Sequence, residues 1–74
     1  MPPLRSLPFR EVKRKLEAAG FSIISQKGSH VKFVKSNEDE LRTAIVPHHR
    51  EVSFGTLRSI LRQAGVSPEE FEEF

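Results

Sequence analysis

The sequence predicts an α+β two-layer sandwich of order α-β-β-β-α, a three-stranded antiparallel sheet with two helices on one face. Three observations carry this. Apolar residues recur at helical spacing towards each end of the chain, as Phe9, Val12, Leu16 and Ala19, then as Leu57, Ile60, Leu61 and Ala64. Between them lie three short β-branched or alternating runs, 21–26, 30–35 and 41–46, joined by polar segments of turn length. At 74 residues the chain makes one small domain, 1–74. A lone three-stranded sheet must be covered on one face to be stable, and the two amphipathic helices supply that cover.

Taken in order, residues 1–5 carry Pro2 and Pro3 and read as a loose lead into the fold. Ser6 is placed to cap the first helix, with Pro8 in the first turn, where a missing N–H costs little. Arg10, Lys13, Arg14 and Lys15 lie between the apolar positions and give that helix a basic side, and Gly20 stops it. Phe21 to Gln26 reads as a strand, and Lys27-Gly28-Ser29 as a flexible turn. In His30 to Lys35, Val31 and Phe33 face one way while His30 and Lys32 face the other. Ser36 to Glu40 is a polar loop, and Leu41 to Val46 is the third strand, ended by Pro47. His48 to Val52 reads as a polar connection. Ser53 or Gly55 caps the second helix, Arg58 and Arg62 lie off its apolar stripe, and Gly65 ends it. Ser67-Pro68-Glu69-Glu70 starts a short acidic turn over 67–74, with Phe71 and Phe74 available as anchors.

Composition excludes several classes of function. Hydrophobic residues are 36% and charged residues 30%, as in a soluble globular domain. Length alone excludes a two-lobed enzyme. Cysteine is absent, so neither a disulfide nor a thiolate zinc site is available. No run approaches the roughly 20 apolar residues that span a membrane, and the N-terminus has no apolar signal-peptide stretch, which makes the cytoplasm the expected location. The formal charge is +2, but four of the ten acids fall at Glu69, Glu70, Glu72 and Glu73. Residues 1–68 hold twelve cations against six acids, a +6 body with an acidic tail. Such a body favours an anionic partner such as nucleic acid.

The three histidines are the side chains that titrate near neutrality. His30 follows a turn and shares a strand face with Lys32, and Lys27 lies just before it. An imidazole beside ammonium groups suits phosphodiester chemistry, because one moves a proton while the others stabilise charge on phosphate. A polar strand-edge histidine with no such role is the alternative. His48 and His49 are adjacent and point apart on extended backbone, so they make a poor metal pair, and no metal or other cofactor is expected. The glycines are scattered singly, which excludes a nucleotide-cradling loop. Phe9, Phe21 and Phe33 fit core positions better than a base-stacking platform. The order of elements is that of the double-stranded RNA-binding domain.

Four segments together resemble the HicA (YcfA-like) family, small mRNA interferase toxins of type II toxin–antitoxin systems. They are Ala19-Gly20-Phe21, Lys27-Gly28-Ser29-His30-Val31-Lys32-Phe33, Val46-Pro47-His48-His49, and the run from Gly55 to Gly65. The resemblance covers about Ser6 to Phe71. It implies a double-stranded-RNA-binding-like fold, ribosome-independent cleavage of mRNA, and a HicB-like antitoxin that covers the active site. The catalytic histidine of the family's G-S-H motif falls on His30, and the histidine of its P-x-H pattern on His49. The residues then suggest a division of labour. The substrate's own 2′-OH acts as nucleophile, His30 transfers a proton, Lys27 and Lys32 contact phosphate, Ser29 orients the site, and His49 binds phosphate or supplies the second proton transfer. A non-catalytic RNA-binding module is the competing reading. Its phosphate contacts would come from the first helix, Lys27, Arg58 and Arg62. Against it, the second helix begins Phe54-Gly55-Thr56-Leu57 with no lysine cluster.

Overall fold

A computed structural model describes residues 4–74, so the part of the expected lead over residues 1–3 lies outside the described residues. The elements are α1 (Phe9–Ala18), β1 (Ser22–Lys27), β2 (His30–Ser36), β3 (Leu41–Pro47), α2 (Phe54–Ala64) and α3 (Pro68–Glu73). The strands form one antiparallel sheet in the order β1-β2-β3, with β2 central. The helices cover one face, as the sequence predicts. Val31 and Phe33 of β2 and Ala44 and Val46 of β3 are buried against Val12 and Leu16 of α1 and Leu57, Ile60, Leu61 and Ala64 of α2. Alternation along β2 sends the opposite residues, His30 and Lys32, to the uncovered face, where both are exposed.

Both strand edges are blunted. In β1 the pairing register slips between Ile23 and Ser25, which leaves Ile24 as an unpaired bulge residue on an exposed strand. On the outer side of β3, the Ile45 N–H donates to Gln63 Oε1 of α2 at 3.1 Å.

The N-terminus departs from expectation. Ser6 does not cap α1. Pro8 holds the N-cap position with no side-chain cap, while Ser6 Oγ donates to Glu51 Oε2 at 3.0 Å. The cause is a long-range bridge between Leu7 and Val52, whose N–H groups each donate to the other's carbonyl. That bridge pulls the chain straight through residue 7 and delays the helix. It also means that 48–52 is not a wholly polar connection, because Val52 is fully buried in the core. Leu4 packs against the same core.

The acidic C-terminal segment is a helical turn with a full capping box. Ser67 Oγ accepts from the Glu70 N–H at 3.1 Å, and the Ser67 N–H donates to Glu70 Oε1 at 3.0 Å. It delivers Phe71 into the core, while Phe74 stays partly exposed.

Candidate active site

The site begins at a tight hairpin. β1 ends at Lys27 and β2 begins at His30, so only Gly28 and Ser29 lie between them. Gly28 has φ +60°, and among the described residues no non-glycine has positive φ, so Ser29 lies in the ordinary negative region. Positive φ at the first of two loop residues is the pattern of a type II′ turn, whose twist matches that of paired strands. The Gln26 amide donates to the Gly28 carbonyl at 3.1 Å. The turn is therefore a two-residue connection of defined conformation.

This turn sets the register. Lys27 pairs with His30, His30 pairs with Pro47, and Ser25 pairs with Lys32, which pairs in turn with Ile45. Directly paired residues share a sheet face, and so do residues two apart on one strand. Lys27, His30 and Lys32 are thus brought together on the open face at the hairpin end, and all three are exposed. Neighbouring carboxylates are absent from these register positions. The arrangement presents one imidazole on the central strand, with one ammonium group across from it on β1 and another two residues along β2.

Beyond Pro47 the chain turns towards α1. The His48 N–H donates to the Ser29 carbonyl at 2.5 Å, which ties this segment to the hairpin. The His48 ring lies 4.1 Å from the ring of Phe9, with the planes 32° apart. Phe9, expected as a core residue, is only half-buried, and its ring meets Phe33 at 6.4 Å. Pro8, Phe9, Arg10, His48, His49 and Arg50 line an open concavity of about 240 Å³. His49 belongs to this concavity. The pairing of Phe9 with His48 and the approach of Arg10 and Arg50 carry no local sequence signal, because the two segments are distant in the chain.

The basic side of α1 is mostly occupied. Lys13 pairs with Glu17 at 3.5 Å, and Arg14 pairs with Glu11 at 2.8 Å. Hydrogen bonding to Arg14 holds the Glu11 carboxyl below the usual carboxylate range. Lys15 is not on the surface at all. It is 8% exposed, and its Nζ donates to the Phe71 carbonyl at 3.1 Å and lies 5.1 Å from the Phe71 ring centre. Of the four cations, Arg10 makes no salt bridge among the described residues.

Among the described residues no three His, Asp or Glu side chains converge as a metal site, and no helix is long and apolar enough to cross a membrane. Fold and site together define a small α-β-β-β-α domain with a histidine flanked by lysines on the open face of its sheet. The model of the HicA toxin of bacterial toxin–antitoxin systems matches residues 9–66, and the chain belongs to that family. Membership of a toxin–antitoxin family implies an antitoxin partner. No curated protein matches the chain.

Proposed function

We propose that this protein is an endoribonuclease toxin that cleaves mRNA in the cytoplasm, independently of the ribosome, with His30 as its catalytic residue and the whole chain acting as one domain. The observation that carries the reading is the register of the hairpin, in which Lys27 lies across from His30 and Lys32 follows two residues along the same face. Proton-transfer and cationic groups so arranged suit attack by the substrate's 2′-OH on the adjacent phosphorus. A nucleophile supplied by the RNA asks little of a domain this small.

In this mechanism His30 transfers one proton between the reacting oxygens and nitrogen Nε2 or Nδ1 of its ring. Lys27 and Lys32 hold the phosphate and stabilise the charge that gathers on its oxygens. Ser29 contributes through the turn it completes, and its side chain is exposed beside the site. His49 binds a neighbouring phosphate or serves as the second proton-transfer group. The family's antitoxin silences the protein by covering this face, as a HicB-like partner would.

The test is cleavage of RNA by purified wild-type and His30→Ala protein, in buffer with EDTA, with analysis of the product ends. The wild type should leave 2′,3′-cyclic phosphate and 5′-OH termini, and His30→Ala should lose at least about a hundredfold in rate, within the usual worth of a general acid–base residue. Cleavage that persists undiminished in His30→Ala would sink the assignment. Salt-dependent RNA binding by a wild type that cuts nothing would assign the binding-module reading instead.

A further inference from the structure

We propose that the concavity between the start of α1 and the segment after β3 is a nucleotide subsite. In it a single-stranded RNA base stacks on the Phe9–His48 pair, and Arg10 and Arg50 hold the flanking phosphates. The proposal rests on the ribonuclease reading of His30, and it extends that reading from the scissile phosphate to a neighbouring nucleotide.

Four observations support it. First, the two rings lie 4.1 Å apart and only 32° from parallel, and His48 is exposed while Phe9 is backed by Phe33. One side of this stack is therefore braced by the core and the other is open to a planar ligand. Aromatic shelves of this kind take any base, because every base has a π face. Second, the lining is cationic. It holds Arg10, Arg50, His48 and His49 and no carboxylate, and neither arginine makes a salt bridge among the described residues. The nearest acids in the chain are engaged elsewhere, Glu11 with Arg14 and Glu51 with the Ser6 hydroxyl. Third, Arg10 is the one cation of the α1 basic side left without a partner, while Lys13, Arg14 and Lys15 are paired or buried. Fourth, the subsite adjoins the proposed active site. His30 pairs with Pro47, His48 follows it, and the His48 N–H is bonded to the Ser29 carbonyl. Strand pairing and one peptide step put the His48 Cα within about 9 Å of the His30 Cα. His30 faces the open side of the sheet and Phe9 its helix side, so an RNA strand that presents a phosphate to His30 reaches this concavity by turning round the hairpin end.

The test measures binding of a short fluorescein-labelled single-stranded oligonucleotide, 2′-O-methylated throughout so that it cannot supply the nucleophile. His48→Ala should weaken the Kd about tenfold, within the usual worth of one stacked base. His48→Phe should restore most of that loss, because it keeps the ring without the imidazole chemistry. Arg10→Gln with Arg50→Gln should weaken binding and flatten the salt dependence by about 0.7 for each arginine. Lys13→Gln, on the same helix but off the concavity, should bind as wild type. Thermal melting of each variant separates a lost contact from a lost fold. Wild-type binding by properly folded His48→Ala and the arginine pair would overturn the subsite, and so would a wild type that fails to bind the oligonucleotide. Equal weakening by Lys13→Gln would reduce the effect to bulk charge and overturn it too. If these variants instead keep RNA affinity and release the copurifying antitoxin, the concavity belongs to the protein partner. Loss of cleavage in His30→Ala is read separately on unmodified RNA. The catalytic assignment can therefore fail while the subsite stands, and the converse also holds.

Discussion

Lys15 shows how one side chain can serve two elements. It is one of four cations in α1, yet it lies three residues after Val12 and four before Ala19, at the edge of the apolar stripe, and its ammonium group reaches the Phe71 carbonyl of α3. A long amphipathic side chain can bury its methylenes and still satisfy its charged end. Here the acceptor is a backbone oxygen near the end of a helix, where a cation also meets the negative end of the dipole. Lys15→Ala should therefore cost about 1.5 kcal/mol or more, a fall in Tm of roughly 6 °C or more for a domain of this size. Lys15→Met, which keeps most of the stem, should cost less. Thermal denaturation followed by circular dichroism checks this, and a Tm within a degree of wild type for Lys15→Ala would refute it. The position of Lys15 at the edge of the apolar stripe was legible by period, but its burial was not, because the Phe71 that covers it lies far along the chain. The same holds for the Phe9–His48 contact. By contrast Val12, Leu16, Val31 and Phe33 were legible, because period 3.6 and period 2 map directly onto the covered face of a helix and a strand. His30 was legible as exposed for the same reason.

At the scale of elements, local chemistry decided some boundaries and distant partners decided others. The Ser53 and Ser67 caps and the Gly65 stop follow from side chains that satisfy nearby backbone groups, so they can be read from short windows. The start of α1 could not, because the Leu7–Val52 bridge competes with helix nucleation. The bulge at Ile24 is likewise invisible to an alternation rule that it interrupts. α3 is the sharpest case of local control. It is too short to persist alone, and it stands on its capping box and on Phe71. Ser67→Ala should cost about 1 kcal/mol and speed hydrogen exchange in 68–74 before the rest of the domain. The box also carries a pH signature. The backbone and side-chain hydrogen bonds of Ser67 hold the Glu70 carboxyl below its ordinary range. A carboxyl depressed in the folded state contributes stability above its unfolded pKa and loses it as the pH falls through the folded value. The ordinary value for Glu is 4.5, so α3 should loosen as the pH falls below that point. Glu70→Gln should remove most of this acid sensitivity while leaving a side chain that can still accept from the Ser67 N–H. Exchange or NMR shifts of 68–74 across pH 3 to 6 would report it, and a Glu70→Gln protein with an unchanged acid transition would rule it out.

Across the whole molecule, charge is separated end from end, and position matters more than the net value. The hairpin end holds Lys27, His30 and Lys32, with Arg10, His48, His49 and Arg50 beside it. The opposite end gathers Glu38, Asp39 and Glu40 in the β2–β3 loop. Glu70 of α3 joins them there, where it feels the charge of Lys35 and shares a groove with Asn37, Glu40 and Arg42, while Glu72 lies beside Arg5, Glu11 and Arg14. His30 and Lys35 stand at opposite ends of β2, about 16 Å apart at the usual rise per strand residue. The low formal charge of +2 is thus the sum of a basic end and an acidic end. On the ribonuclease reading, RNA should approach with its phosphates towards the hairpin, and the α3 acids should repel it only where screening is weak. The Debye length is about 8 Å at 0.15 M salt and about 30 Å at 0.01 M. Glu69→Gln, Glu72→Gln and Glu73→Gln together remove three carboxylates and raise the formal charge from +2 to +5. RNA affinity should change by less than about twofold at 0.15 M salt and rise clearly at 0.01 M. Titrating the same oligonucleotide at both salts decides the matter. A large gain at 0.15 M would mean that the acidic helix lies within reach of bound RNA and would overturn this separation of charge.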